Sequence, residues 1–123
     1  MRAKFVYEDY RDILKPKSEK EIGEIIKQRC PIFVKIFNEM FPNEKYNINW
    51  GPEGMVNISF AFNETDREGN EYLFLISQHY LQHTPHISFL DRNVADGNIS
   101  GVFTKTRPIR SIEDVNNYVN TYI

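Results

Sequence analysis

Along the first third of the chain hydrophobic positions recur every three to four residues, and from Tyr46 onward they recur every two. In the first region Ile22, Ile25, Ile26, Cys30, Phe33, Phe37, Met40 and Phe41 fall on one helical stripe, with Glu24, Lys27, Gln28, Lys35 and Glu39 elsewhere on the wheel. Ser18-Glu19-Lys20-Glu21 is a capping box, in which the Ser18 hydroxyl accepts the amide of residue 21 and Glu21 reaches back to the amide of residue 18, so a helix starts there. Pro31 lacks an amide proton and its ring opposes the carbonyl of Lys27, which predicts either a kinked helix or two short ones, the second opening on Pro31. Ile32, Val34 and Ile36 widen the apolar surface of the second half, so this segment is expected to be covered on more than one side, a partner subunit being one candidate cover.

Tyr46-Ile48-Trp50 alternates with Asn47 and Asn49, and after the Gly51-Pro52-Glu53-Gly54 turn Val56-Ile58-Phe60-Phe62 alternates with Asn57, Ser59 and Ala61. Both read as half-buried strands. Asn63 to Asn70 is a polar hairpin loop. Tyr72 to Ser77 is apolar on both faces, as a central strand covered on both sides would be. Ile87 to Leu90 and Ile99 to Phe103 complete the strand pattern, and Ser111, with Asp114 three residues on, caps a last helix bearing Ile112, Val115, Tyr118, Val119 and Tyr122 on one face.

The connections between strands are short, so the fold class is α+β: an antiparallel meander of about five strands packed against an N-terminal Pro-kinked or split helix and a C-terminal helix. Residues 1–123 make one domain, with 1–17 as an N-terminal arm or edge strand, because residues 4 to 8 alternate and Pro16 stops a helix before Ser18. With residues 4 to 8 as a strand, the element order resembles the helix-grip fold of lipid-binding START-like domains. That resemblance implies a ligand held between a curved sheet and the last helix, although a last helix of about 12 residues is short for the role.

Composition sharpens this picture in three places. Nine Phe, seven Tyr and one Trp among 123 residues predict an aromatic core. Cys30 is the single cysteine, which rules out an internal disulfide, and its place on the apolar stripe makes it a buried structural thiol. Arg2-Ala3-Lys4 leads into Glu8, Asp9 and Asp12 rather than an apolar core, and no apolar run approaches the roughly 18 residues a membrane helix needs, so neither a secretory signal nor a membrane span is expected. Residues 46 to 104 carry two Lys+Arg against seven Asp+Glu, a balance that makes nucleic acid an unfavourable partner for the sheet-forming middle.

Candidate chemistry is sparse. His79, His83 and His86 lie within eight residues, but in a strand residues 79 and 83 stand roughly 13 Å apart, too far for one ion. Thr84-Pro85 predicts a tight hairpin turn that puts His83 beside His86, and these two are the weak metal candidates. Asp91 to Gly97 superficially suggests a calcium loop but has Ala95 where an oxygen ligand is needed, and it reads as a turn. Lys105, Arg107 and Arg110 form a small basic connection between the last strand and the last helix, where a phosphate could be held near the Ser111 helix start. No Walker loop, dinucleotide fingerprint, nucleophile elbow or metalloprotease helix is present, and no cofactor is implied.

Phe5-Val6-Tyr7-Glu8, then Asp12-Ile13-Leu14-Lys15-Pro16-Lys17-Ser18 with Glu21-Ile22, resembles the openings of small accessory proteins of large tailed bacteriophages, crAss-like phages among them. The resemblance covers about a fifth of the chain and implies a setting in the cytoplasm of an infected bacterium or in the virion. The expected function is then protein–protein interaction without catalysis, through Phe5, Tyr7 and Tyr10 of the arm and Ile32, Val34 and Ile36 of the second helix, with a host or phage protein or a second copy as partner. The alternatives are a ligand-binding or enzymatic domain with a pocket between sheet and helices, and nucleic-acid binding through the C-terminal basic residues.

Overall fold

A computed structural model describes residues 19–50, 56–79, 81–93 and 100–123. Three helices and five strands follow in the order α1 (Glu19–Arg29), α2 (Pro31–Met40), β1 (Asn47–Trp50), β2 (Val56–Thr65), β3 (Glu71–His79), β4 (His86–Asn93), β5 (Ser100–Pro108) and α3 (Ile112–Tyr122). The sheet is a meander, β1-β2-β3-β4-β5, antiparallel throughout, so the expected α+β class is the one the chain adopts. No described helix is long and apolar enough to cross a membrane.

Of the two outcomes expected at Pro31, the chain takes the split. The Cys30 amide closes α1 by donating to the Ile26 carbonyl at 2.7 Å, and the Cys30 carbonyl opens α2 by accepting from Val34 at 3.1 Å. Cys30 itself leaves helical geometry at φ −129° and ψ 51°, and Pro31, which has no amide to satisfy, occupies the first turn of α2. The break lets Ile26 and Cys30 from one axis and Phe33, Ile36 and Phe37 from another face the same core.

All three helices lie on one side of the sheet. On β2 the inward residues are Val56, Ile58, Phe60 and Phe62; registered opposite them on β3 are Gln78, Ile76 and Phe74, and on β4 Ile87 and Phe89. Phe33 meets Phe60 edge-on at 5.5 Å between ring centroids, Phe37 meets it at 5.0 Å, and Tyr118 of α3 meets Phe74 at 6.0 Å. Edge-to-face contacts suit the ring quadrupoles and tie the α2 half of the core to the α3 half through Phe60, Phe62 and Phe74.

Several boundaries differ from the sequence reading, each for a visible reason. Tyr46 precedes β1 and packs between Phe33 and Phe37, whereas Ile48, on a four-residue edge strand, stays 37 % exposed. β2 and β3 run into the polar segment as far as Thr65 and Glu71, because Asp66 alone closes the turn: one carboxylate oxygen accepts the amides of Glu68 and Asn70, both at 2.9 Å, and the other accepts the Asn70 side chain and the Tyr72 hydroxyl. Gly69, at φ 86°, supplies the left-handed step. The amide of Asn70 leads the contacts that hold the Asp66 carboxyl below its ordinary range.

β5 is the largest departure. It reaches Pro108, so Lys105 and Arg107 belong to a strand rather than to a connection. Between Ile87↔Arg107 and Phe89↔Thr104 the register slips, and the bulge places Lys105 at φ 55°. Its carbonyl is turned to the Tyr118 hydroxyl, which donates at 3.0 Å. Burial, then the neighbouring Tyr122, pushes the Tyr118 phenol up to about 12, against a smaller opposing effect of Arg107. Because the unfolded phenol ionises near 10, Tyr118 contributes stability below that pH and loses it as pH rises toward 12. Tyr118→Phe is therefore expected to unfold more easily at neutral pH, by about 1 kcal/mol for a hydrogen bond removed from a carbonyl, and to show a flatter alkaline limb in urea titrations between pH 9 and 12. An alkaline limb identical to that of the wild type would show that Tyr118 does not set it.

Candidate functional site

The described helices lie on one face of the sheet, and the other face is traced by the residues between those of the core. Leu73 and Leu75 alternate with the inward residues of β3, and across the ladder they share their level with Asn63 and Ala61 of β2. On β4 the outward residues are His86, Ser88 and Leu90, with Phe103 of β5 paired to Leu90. Leu73, Leu75 and Leu90 are half-buried, Ser88 is buried, and Phe103 is 39 % exposed. The expectation for Tyr72 to Ser77 is met in one half: β3 is central, with the helices covering one side, and the second apolar face carries none of the three.

This outward face has an unusual electrostatic property. From Asn57 to Asn63 on β2, from Leu73 to Ser77 on β3 and from Ser88 to Leu90 on β4, every outward position is apolar, amide or hydroxyl. Four of the seven acids in the middle of the chain sit instead at the hairpin end, on Glu64, Asp66, Glu68 and Glu71. Charge-poor, apolar-centred and polar-rimmed is the composition of an interface core.

The histidines follow the β3–β4 connection. β3 ends at His79 and β4 begins at His86, so a six-residue connection replaces the tight turn expected at Thr84-Pro85. His86 registers opposite Ser77, and the exposed His83 stands in the loop. That loop is tied down by the buried Gln78, whose side-chain amide donates to the Gln82 carbonyl at 2.7 Å, and by the Gln82 side chain, which accepts the His79 amide at 3.0 Å. The His86 Nδ1 atom is enclosed and makes no hydrogen bond to a described residue. No group of three or more His, Cys, Asp or Glu among the described residues could hold a metal ion.

Nor do the basic residues gather. The Lys105 ammonium lies 6.0 Å from the Tyr122 ring at the end of α3, whereas Arg110 precedes the start of that helix, roughly 15 Å away along its axis. Arg107 turns back to the Thr106 carbonyl. The helix start is already filled by its own acid: Asp114 donates its amide to the Ser111 hydroxyl and accepts the Arg110 amide at 2.8 Å, with Glu113 beside it. A carboxylate in the first turn occupies the place a bound anion would take.

Of the protein-contact residues expected from sequence, Phe5, Tyr7 and Tyr10 lie outside the described residues. Ile36 is 1 % exposed and belongs to the core; Ile32 and Val34 are half-buried against it. The extra apolar surface of α2 thus faces the chain's own sheet and neighbouring helices. The space between helices and sheet is filled by Phe33, Phe37, Phe60, Phe62, Phe74 and Tyr118. An open groove of about 380 Å³ does lie at the sheet margin where β1 begins, between Phe41, Lys45 and Ala61. The sequence signal for the apolar outward face was present in the two-sided apolarity of Tyr72 to Ser77, but nothing in it told which side the helices would take. Known protein families, curated proteins and solved structures offer no match to this chain.

Proposed function

We propose that this protein acts without catalysis, by protein–protein contact through the sheet face opposite its helices, as an accessory protein of a tailed bacteriophage. The observation that carries the contact reading is the outward surface of Leu73, Leu75, Leu90 and Phe103, bounded by amides and hydroxyls and free of formal charge at its centre. Burying such a surface removes apolar area from water and leaves no stranded ion. The phage setting rests on the resemblance of Phe5 to Ser18. Ligand binding between sheet and helices is disfavoured by the filled interior, and nucleic-acid binding by the dispersal of Lys105, Arg107 and Arg110.

The test uses the full chain, tagged and purified from bacteria in which the phage grows, alongside Leu75→Lys and, as a charge-matched control on the helix side, Asn116→Lys. Proteins retained by the wild type and by Asn116→Lys are expected to be lost with Leu75→Lys. Retention of the same proteins by all three would refute the assignment of this face.

A further inference from the structure

We infer that the margin of β2 beyond the end of β1 is a docking ledge for a basic, extended peptide segment of another protein. The segment adds to the sheet as one short strand and seats a bulky apolar side chain in the groove over Phe41 and Phe60. This surface is separate from the sheet face discussed above and does not depend on it.

The ledge arises from unequal strand lengths. β1 pairs with β2 only from Asn47↔Ser59 to Trp50↔Val56, whereas β2 continues to Thr65. β3 supports β2 as far as Thr65↔Glu71, so Phe60 to Thr65 is strand held from one side, and no described strand lies against its other side. The chain leading into β1 turns away from that place: the Glu44 amide donates to the Phe41 carbonyl at 3.2 Å, and Tyr46 packs between Phe33 and Phe37. The wedge between this lead-in and β2 is the open groove of about 380 Å³. Its flanks are open, with Glu44, Lys45 and Asn47 exposed on one side and Ala61 and Asn63 on the other. Ala61 carries only a methyl group, so much of what it shows to solvent is strand backbone.

In a strand every second residue turns its N–H and C=O to the same margin, so six residues offer about three such pairs to an added strand. Backbone pairing of that kind supplies affinity, and a neighbouring pocket selects the side chain. Here the pocket floor is aromatic, because Phe60 receives Phe37 at 5.0 Å and Phe41 at 5.9 Å, both edge-on.

Charge identifies the partner. Glu64 lies on the ledge, and Asp66, Glu68 and Glu71 surround the turn that ends it, with Arg67 as the one cation among residues 64 to 71; four acids against one base leave −3. At the groove end Glu44 and Lys45 offset each other. The ledge therefore asks for a cation at one end and an apolar group at the other, while its carboxylates discourage indiscriminate edge pairing. Phe60, Phe62 and Glu64 alternate onto one face of β2, so an anchor level with Phe60 and a cation level with Glu64 stand four residues apart. In an antiparallel strand, the better-paired orientation, the cation comes first.

The blocked peptide Lys-Thr-Lys-Thr-Val-Thr-Phe-Thr-Val has that spacing and is the probe. Titrated into the isotopically labelled full chain, it is expected to bind saturably with a dissociation constant of about 1 mM or tighter, shifting the backbone NMR signals of Phe41 and of Ala61 to Thr65. N-methylation of every second probe amide should abolish binding in at least one of the two frames. Glu64→Lys combined with Glu68→Lys, both at exposed positions, should weaken binding about 5- to 10-fold. A probe with Glu in place of Lys makes the same comparison on the unaltered protein. Failure to saturate at about 10 mM, shifts elsewhere, or unchanged binding after N-methylation in both frames would overturn strand addition at this ledge. Equal binding of the Lys and Glu probes would overturn the basic partner. Signals of Ala61 to Thr65 that move with protein concentration alone would place a second copy on the ledge and overturn the assignment to another protein.

Discussion

Phe74→Ala is expected to destabilise the protein by about 3–5 kcal/mol, a large part of what a domain of this size has in total. Phe74 is fully buried at the centre of β3 and is shared by both halves of the core: it stacks on Phe62 at 5.3 Å, lies 6.4 Å from Phe89 and receives the edge of Tyr118. Truncation removes the transfer free energy of the ring and leaves a void whose walls are themselves rigid aromatics on paired strands, so little collapse can fill it. Urea denaturation followed by circular dichroism measures the loss. A change under about 1 kcal/mol would mean that the site relaxes freely, contrary to the packing described.

Phe33→Ala should cost a similar amount, about 3–5 kcal/mol, by a different route. Phe33 is also fully buried, but it binds α2 to the strand side, with its ring edge-on to Tyr46 at 5.3 Å and to Phe60 at 5.5 Å. Its loss weakens the docking of α2 while the β3–β4 centre stays intact, so hydrogen exchange should accelerate first in Pro31–Met40. The ring contacts run from Phe33 to Phe74 through Phe60 and Phe62, and the two losses should add to within about 0.5 kcal/mol. The double variant is then expected to be largely unfolded at 25 °C. A folded double variant would show that the two halves compensate through Phe60 and Phe62.

The elements with strong periodicity were legible in the sequence. Pro31 announced the break between α1 and α2, Ser111 with Asp114 announced α3, and the alternation from Val56 to Phe62 placed the inward face of β2 correctly. What escaped were segments whose structure is imposed by neighbours. Thr104 to Pro108 has no apolar alternation, yet β4 supplies a ladder on one side and Tyr118 fixes the bulge from the other, so the segment is strand despite its composition. The turn at Thr84-Pro85 was read from local preference, but the register of Ser77 with His86 requires the longer connection that Gln78 and Gln82 hold in place. The basic residues illustrate the same limit at the level of a site: closeness in sequence along an extended strand and a loop becomes separation along the length of α3.

The bulge in β5 has a consequence for how the sheet can be extended. An outermost strand with regular, unpaired backbone is a template on which another chain can grow, and open-ended growth leads to fibres. Among the described strands the β5 margin is kinked at Lys105, flanked by the Arg107 cation and terminated by Pro108, which has no amide to offer, while the opposite margin is only the four residues of β1. Polymerisation by strand addition is thereby discouraged at both of these margins.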